Sequence, residues 1–327
     1  MRLLLAIIFF CILVMAPELD ATAHAADETG SIGIRLVDIP ATAQDDPRAH
    51  TYVVDHLVPG ATIQRRIEVS NDTDAEQAVR VYAGAADIRE GAFVGRDGDA
   101  ANELTGWTSV ADPVLRLAPG EIRQTLVTVA VPDGASAGEH YGVVWAEVRS
   151  APDAETAVVT ASRVGVRMYL SVGQGGEPAS DFRIDTIAAL RDADGAPAVI
   201  ATVTNSGQRA LDLSGVLRLE NGPSGLAAGP FDAEGVTTLA PGTSGDLVVT
   251  LGDELPDGPW TAVLEARSGT LSREARATLT FPDEGRTVSE VEHASSPNLL
   301  LPMSVGVFLI LLISGSAWAL RRWHGGR

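Results

Sequence analysis

The chain has 327 residues, of which 24 are basic and 43 are acidic, so its formal net charge is −19. This length accommodates two domains, and a hydrophobic content of 45% supplies real cores, which excludes a chain that is disordered throughout. A strongly acidic chain repels phosphate backbones, and an aromatic content of 5% offers few rings for stacking on single strands. The composition therefore predicts that nucleic acid is not a partner.

Residues 1–25 predict a secretory signal peptide. Arg2 precedes an apolar run from Leu3 to Met15, and Ala23-His24-Ala25 provides a small-residue cleavage site. The one cysteine, Cys11, lies within the apolar run. We therefore predict a mature protein without disulfides and without thiolate metal sites.

A second apolar segment lies near the C-terminus. Residues 299–320 carry no formal charge and are numerous enough for a membrane-spanning helix. Arg321 and Arg322 then open a basic tail over residues 321–327. Because arginines are retained on the cytoplasmic side, this order predicts a single-pass protein of the cell membrane, with its N-terminal ectodomain outside and its C-terminus in the cytoplasm.

Between these ends, apolar residues alternate with polar ones in many short runs. Val164, Val166, Met168, Leu170 and Val172 share one face of such a run, which is typical of a half-buried strand. Pro-Gly, Asp-Gly and Asn-Ser-Gly turn signals separate the runs. Many short strands at this spacing predict an all-β chain built of immunoglobulin-like β-sandwiches.

The two halves of this region share an ordered series of features. A strand that ends at Asn71 is followed by Leu117-Ala-Pro-Gly120, and a strand that ends at Asn205 is followed by Leu239-Ala-Pro-Gly242. The asparagine side chain can close an Asx turn, and Pro-Gly forms a tight turn before the next strand. The repeat predicts two sandwiches in tandem.

The domain bounds follow from breaks in the alternation. A Gly- and Pro-containing stretch at residues 173–180 separates a first sandwich over 30–173 from a second over 180–281. Residues 282–298 are polar and lack periodicity. They predict an extended linker that leads to the membrane helix.

The sequence offers little catalytic chemistry. Gly134-Ala-Ser-Ala-Gly138 matches the G-x-S-x-G pattern of a nucleophile elbow, but a strand is predicted after it, where that motif needs a helix. No two histidines have the spacing of a metal site. We therefore predict that the protein is not an enzyme and has no catalytic residue, no cofactor and no metal. Calcium stays an alternative for Asp97–Glu103 and Asp192–Gly195, which are otherwise a loop and a hairpin turn.

The most distinctive polar run supplies four candidate ligand-binding residues, Asp45, Asp46, Arg48 and Tyr52. The guanidinium of Arg48 offers a planar fork for a carboxylate, and Tyr52 offers a flat amphipathic face for a sugar ring. The alternative is a solvated loop closed by an aspartate–arginine pair.

Tryptophans supply one further candidate. Trp107 has a claim to a binding surface, with packing as the alternative. Trp145 and Trp260 lie on predicted strands, so we assign them to the cores.

Segments of residues 30–173 resemble the peptidoglycan-binding domain of WxL-interacting proteins. The order of signal, two immunoglobulin-like domains, membrane helix and basic tail is similar to that family as well. All basic residues are arginine, which points to a cell-surface protein of the actinobacterial type. The resembling segments are Gly33-Ile-Arg-Leu36, Asp45-Asp-Pro-Arg48, Tyr52-Val-Val-Asp-His56, Pro59-Gly60, Glu68-Val-Ser-Asn71, Ala101-Asn-Glu-Leu104 with Trp107, Pro132, and Tyr141–Val148.

The resemblance implies a first domain that contacts peptidoglycan and a second that binds a WxL-type or other surface protein. The resulting hypothesis is a non-enzymatic, membrane-anchored cell-surface protein that binds peptidoglycan and scaffolds a surface protein. The alternative is an extracytoplasmic sensor or accessory subunit of a membrane complex, in which the helix over 299–320 makes the main contact.

Overall fold

A computed structural model describes residues 30–293, apart from residues 42, 99, 151–158, 192–194, 236, 253, 283–285 and 290. The regular structure is almost entirely β-strand, so the predicted all-β class is confirmed. The predicted signal peptide (1–25), membrane helix (299–320) and basic tail (321–327) lie outside the described residues. Within the described part of the chain, no helix is long and apolar enough to cross a membrane.

The first sandwich consists of two sheets with strand orders β1-β3-β8-β6 and β2-β10-β9-β4-β5, and β7 also pairs with β4. One turn of 3₁₀ helix, Pro47–His50, precedes β2. The elements are β1 (Ile32–Leu36), β2 (Val53–Leu57), β3 (Thr62–Asn71), β4 (Gln77–Arg89), β5 (Ala92–Gly95), α1 (Glu103–Trp107), β6 (Thr108–Val110), β7 (Val114–Leu117), β8 (Ile122–Ala130), β9 (Gly138–Arg149) and β10 (Ala161–Val172).

The second sandwich has the sheet orders β16-β12-β11-β19 and β14-β13-β17-β18-β20, and β15 also pairs with β13. A second 3₁₀ turn spans Pro223–Gly225. The strands are β11 (Phe182–Arg191), β12 (Pro197–Asn205), β13 (Leu211–Glu220), β14 (Ala228–Asp232), β15 (Thr237–Leu239), β16 (Ser244–Thr250), β17 (Trp260–Ser268), β18 (Leu271–Leu279), β19 (Arg286–Ser289) and β20 (Glu292–His293).

The alternating pattern of the sequence determines the core of each sandwich. In β10, Val166, Met168, Leu170 and Val172 are at most 3% exposed and belong to the first core. Residues between them point to the opposite face, as period-two alternation requires. Trp260 is buried in the second core, as its position on a predicted strand indicates.

The repeated asparagines have the same role in both sandwiches. Each is fully buried, and each side-chain oxygen accepts a backbone hydrogen bond two residues along the chain, from Thr73 or from Gly207. The Asn71 amide donates to the carbonyl of Leu117 at 2.9 Å, and the Asn205 amide donates to that of Leu239 at 3.0 Å. The predicted Asx turns are present, and each one also ties its turn to the Leu-Ala-Pro-Gly segment.

Two short strands lie in the segment that the sequence predicts as an extended linker. β19 pairs antiparallel with β11, and β20 pairs antiparallel with β18. Each adds to a strand that would otherwise be the edge of its sheet. The strands β11 and β18 supply the backbone hydrogen-bond partners of this segment. Its strands therefore form although its sequence shows no alternation of apolar and polar residues.

The buried asparagines generate a stability prediction. Asn205→Ala leaves the carbonyls of Leu239 and Arg209 without their side-chain donor, and we expect it to lower the free energy of unfolding by about 2–4 kcal/mol. Equilibrium denaturation measures the change. Gln124→Ala, which removes an exposed amide, serves as the control and should cost less than about 0.5 kcal/mol. Equal costs for the two variants would contradict the role assigned to Asn205.

Candidate binding surface

The second sandwich packs on the outer face of the larger sheet of the first. Tyr169 and Val54, on neighbouring strands of that sheet, form a buried cluster with Ala210, which directly precedes β13. Partly buried side chains that complete the cluster are Tyr52, Ile88, Phe93 and Tyr141. We call this cluster, with the polar groups around it, the junction.

One ion pair lies at the centre of the junction. Arg48 Nε donates to Asp212 Oδ2 at 2.9 Å, and the two side chains are only 9% and 7% exposed. Arg48 Nη1 also donates to the carbonyl of Ala210 at 2.9 Å, and its guanidinium lies 4.8 Å from the ring centre of Tyr169. The 3₁₀ turn before β2 is thereby attached to the second sandwich.

Hydroxyl groups satisfy the second oxygen of Asp212. Tyr169 and Thr238 each donate to Oδ1 at 2.8 Å. Burial and the neighbouring carboxylate raise the pKa of Tyr169 well above its ordinary value, so the phenol keeps the proton that it donates. A buried carboxylate with an arginine and two hydroxyl donors is compensated for its loss of water.

A second carboxylate crosses the junction. Glu139 Oε2 accepts from Tyr141 Oη at 2.7 Å and from the backbone N–H of Ala210 at 2.6 Å. Burial raises the pKa of Glu139 above its ordinary value, although both hydrogen bonds act in the opposite direction. This side chain therefore binds a proton more readily in the folded protein than in the unfolded chain.

The junction explains the positions of the predicted ligand residues. Asp46 Oδ1 accepts from the backbone N–H of Arg48 at 2.9 Å and caps the 3₁₀ turn. Arg48 is buried, and Tyr52 packs against Tyr169 with ring centres 5.7 Å apart and ring planes tilted by 55°. Only Asp45 of this group is fully exposed. Ligand binding by Asp45, Asp46, Arg48 and Tyr52 stays a prediction, and three of the four have structural partners within the chain.

Trp107 lies apart from that group. It packs against the first core, and its ring centre is 4.7 Å from that of His140. The core packs between the two sheets, whereas Tyr52 lies on the outer face with the junction. The structure therefore does not bring Trp107 together with Asp45, Asp46, Arg48 and Tyr52, and its ligand role also stays a prediction.

Trp145 lies on the outer face and not in the core, contrary to its assignment from sequence. The indole ring fits on this face because three glycines beneath it have no side chain. A Cβ at Gly84, Gly95 or Gly165 would lie 2.4–2.6 Å from an atom of the ring. The guanidinium of Arg163 covers the other side, 4.4 Å from the ring centre. The three glycines lie on three different strands. Only the pairing register of those strands brings them together, so their positions in the sequence did not indicate this site.

Two clefts flank the junction. One of about 520 Å³ includes His56, Ser171 and the glycines of the interdomain linker. Another of about 420 Å³ lies between the β4–β5 turn and β15 and β16, with Glu90, Thr238 and Asp246 among its residues. Across the described part of the chain, no three His, Cys, Asp or Glu side chains converge as a metal site would require.

The remaining sequence motifs have local partners. Ser136 of the G-x-S-x-G pattern lies in the loop before β9 and donates to Glu103 at 2.8 Å. Asp97 pairs with Arg163 at 3.3 Å. Asp192 and the two residues after it, the other calcium candidate, lie outside the described residues.

The most open feature of the first sandwich is the N-terminal half of β10. β9 pairs with β10 from Ala161 to Val172, whereas β2 pairs only from Met168 to Val172. Residues 161–167 thus have a ladder on one side, and no described strand pairs with the other. Val164, on the core side of this half, is 37% exposed.

The direction of the free backbone groups follows from the ladder. Gly173 donates to Leu57 on the β2 side, and Thr160 accepts from Ser150 on the β9 side. Because alternate residues of a strand point their N–H and C=O groups to opposite sides, those of Arg163 and Gly165 and the N–H of Arg167 point to the open side, whereas the carbonyl of Arg167 takes part in the pairing of Met168 with Val53. We call residues 161–167 the open edge.

Comparisons with known proteins give a likeness of fold only. No family model and no curated protein matches the sequence. The chain is similar to the E. coli chaperone DraB, at 13% identity and a TM-score of 0.39 over 76% of this chain and 99% of that one. It is also similar to a Salmonella enterica complex of the SafA pilin with the SafB chaperone, at 12% identity and a TM-score of 0.39. That match covers 75% of this chain and 95% of the other one. A third similar structure is the CsuC–CsuE chaperone–tip subunit complex of Acinetobacter baumannii, at 10% identity and a TM-score of 0.37. That match covers 76% of this chain and 97% of the other one.

These findings correct the predicted family and function. The WxL-interacting family was wrong, since no family model matches and the similar solved structures are fimbrial chaperones. The predictions of peptidoglycan and a WxL-type protein as partners, and of a single-pass protein of the cell membrane, were wrong with it. Residues that carried the resemblance, above all Arg48 and Tyr52, form the junction in this chain.

The buried ion pair generates a stability prediction. Arg48→Ala removes the 2.9 Å ion pair of the buried Asp212 and leaves it with only the longer contact of Arg167 at 3.4 Å, and we expect a loss of about 3 kcal/mol in the free energy of unfolding. Arg35→Ala is the matched control, because Arg35 is 66% exposed in its pair with Glu68 and should contribute less than about 1 kcal/mol. Denaturant titration of both variants checks the difference, and a small loss for Arg48→Ala would contradict it.

Glu139 generates a prediction on pH. Since its pKa is raised on folding, its protonated form stabilises the fold at low pH, and this contribution is lost as pH rises from the ordinary glutamate value through the raised one. Glu139→Gln keeps an oxygen acceptor for Tyr141 and Ala210 and removes the titration. The free energy of unfolding of the natural chain, relative to that of Glu139→Gln, should fall as pH rises above the ordinary glutamate pKa of about 4.3. A difference that is constant or rises with pH would overturn the assignment.

Proposed function

We propose that this protein is a non-catalytic binding protein that takes up an extended segment of a partner protein along the open edge of β10. The observation that carries the proposal is that residues 161–167 pair on one side only. At about 3.3 Å per residue, this edge is long enough for a strand of about 23 Å. Strand addition of this kind gains affinity from main-chain hydrogen bonds and specificity from alternate side chains.

Arg163 and Arg167 place charge on the outer face of the open edge, but three other features that block unwanted strand pairing are missing from residues 161–167. It contains no proline, and its register with β9 continues without a bulge. The core-side residues in its middle are Val164 and Val166, where a protected edge would have an inward-pointing charge. An edge of this length without proline, bulge or inward-pointing charge supports a role in binding.

The apolar surroundings of the edge favour a partner with its own apolar side chains. Ile32 and Ile34 of β1 are partly buried hydrophobic residues that pack against the same core. A strand added to β10 would cover Val164, whose exposure is 37%. Burial of apolar area on one face of the added strand would supplement its main-chain hydrogen bonds.

The junction supports the proposal by holding the edge in place. Arg167, the last residue of the open edge, donates to Asp212 of the second sandwich at 3.4 Å. The same carboxylate holds Arg48. A partner would thus meet an edge whose position relative to the second sandwich is already fixed, which lowers the ordering cost of binding.

The test uses proline at a position whose N–H faces the open side. Arg163→Pro removes that donor and leaves the ladder with β9 intact, because proline is tolerated on edge strands where its missing N–H is unpaired. Random ten-residue peptides displayed on phage are selected against the natural chain. We expect the selected peptides to lose at least tenfold in affinity, about 1.4 kcal/mol, for Arg163→Pro.

Arg163→Ala is the matched control, since it removes the same side chain from Trp145 and Asp97 but keeps the backbone donor. Binding to Arg163→Ala should therefore stay within a few-fold of the natural chain. Selected peptides that bind Arg163→Pro as tightly as Arg163→Ala, or a selection that returns no binder, would contradict the proposed function.

A further inference from the structure

Gly165 lies in the middle of the outer side of the open edge. Arg163 and Arg167 flank it on that side, and it pairs with Trp145 of β9. A Cβ at Gly165 would lie 2.6 Å from Trp145 Cε3 and would also collide with the side chain of Val143. Side chains of β9 therefore occupy the space above this glycine, and they form the surface that a strand added to β10 meets there.

This surface presents only carbon atoms to the open edge. The part of Trp145 nearest to Gly165 is the six-membered ring, through Cε3 and Cζ3. Its Nε1 lies on the far side, over Gly84 of β4, where a Cβ would be 2.5 Å from it. Val143 contributes a methyl group. A polar side chain beside Gly165 would therefore lose water without gaining a hydrogen bond from these side chains, whereas an apolar one would gain contact area.

Both arginines on the outer side of the open edge already have partners. The guanidinium of Arg163 lies 4.4 Å from the ring centre of Trp145 and pairs with Asp97 at 3.3 Å. Arg167 pairs with Asp212 at 3.4 Å. Their charges are therefore compensated within the chain, so the middle of the open edge selects a partner by apolar contact.

The missing side chain of Gly165 determines how long the partner side chain must be. Neighbouring strands lie about 4.8 Å apart, and an added strand reaches the indole of Trp145 only across the width of β10. Serine or valine opposite Gly165 would be too short for that contact. A phenyl ring spans the distance, and an aromatic residue opposite a glycine at a sheet edge compensates for the side chain that glycine lacks. Ring pairs also favour the edge and offset contacts that this geometry offers.

Resting on the proposed function, we infer that the partner segment carries an aromatic residue opposite Gly165, between two apolar residues that face Val164 and Val166. The aromatic ring packs on the edge of the Trp145 indole on the outer face, and the two apolar side chains cover the core side. Such a segment has three consecutive apolar residues at its centre, where a strand with one solvent-exposed face would alternate apolar and polar residues.

Two seven-residue peptides with reversed sequences serve as probes, and each is added to the full chain. Their register ends at Arg167, because Val53 of β2 already occupies the place beside Met168. Ser-Val-Phe-Val-Ser-Val-Ser places its phenylalanine opposite Gly165 if it runs antiparallel to β10, and Ser-Val-Ser-Val-Phe-Val-Ser does so if it runs parallel. We expect one of them to slow amide hydrogen exchange at Gly165 and to give nuclear Overhauser effects between its phenyl ring and the indole of Trp145.

Changes in the better-binding peptide test the aromatic position without altering the protein. Serine in place of phenylalanine should weaken binding at least tenfold, which corresponds to about 1.4 kcal/mol. Exchanging the phenylalanine with the serine opposite Ala161 keeps the composition and should weaken binding as much. A shift of register that restored the contact with Trp145 is blocked, since the peptide would then run into β2.

A variant of the protein identifies the indole as the contact. Trp145→Ala removes the ring, so the phenylalanine and serine peptides should bind it with affinities that differ by less than about twofold. Tyr82→Ala is the matched control, because Tyr82 lies opposite Trp145 on β4, on the side away from β10. The tenfold preference should persist in that variant. The peptide series remains informative even if Trp145→Ala fails to fold.

The outcomes separate the inference from the proposed function. If the phenylalanine and serine peptides protect residues 161–167 with equal affinity, the inference fails and the proposed function stands. A phenyl ring that contacts residues other than Trp145, or selected random peptides that protect the open edge when neither probe does, gives the same result. If neither the probes nor the selected peptides protect residues 161–167, both fail.

Discussion

The buried pair between Arg48 and Asp212 is the interaction on which the rest of this structure depends. It attaches the 3₁₀ turn at Pro47–His50 to the second sandwich, so the chain joins the edge of β10 only from Val53 onward. Had the preceding residues continued along β10, they would have covered residues 161–167. The same contact therefore fixes the two sandwiches together and leaves half of β10 open.

Hydrogen bonds from the surroundings satisfy most of the polar atoms of this pair, although Arg48 Nη2 is buried without a partner. Removing two charges from water is costly unless hydrogen bonds satisfy the remaining oxygens and protons. Asp212 has hydroxyl donors from Tyr169 and Thr238, and Arg48 has the carbonyl of Ala210. Donors and acceptors come from both sandwiches, so these hydrogen bonds form only when the two are docked.

Local sequence features predicted what depends on neighbouring residues. Alternation identified the strands and the core side of β10, and the repeat identified Asn71 and Asn205 as turn-closing residues. Contacts between distant residues could not be predicted in this way. The partner of Arg48 lies 164 positions along the chain, and the glycines under Trp145 come from three strands.

The same limit explains the family prediction that was wrong. Asp45 to Tyr52 is a polar run with an arginine and an aromatic ring, and its residue types alone are compatible with a glycan site. Whether such a run faces solvent or a second domain depends on long-range packing. The short strands β19 and β20 escaped prediction for a related reason, since their pairing partners are edges formed by other parts of the chain.

Site-resolved amide hydrogen exchange of β10 in the free protein shows whether the edge over residues 161–167 is open. An open edge should give an alternating pattern over residues 161–167, with fast exchange at Arg163, Gly165 and Arg167 and slow exchange at Val164 and Val166, which donate to β9. From Met168 onward, where β2 covers the strand, both kinds of residue should exchange slowly. Uniform slow exchange from Ala161 to Val172 would show that the edge is covered and would exclude strand addition at residues 161–167.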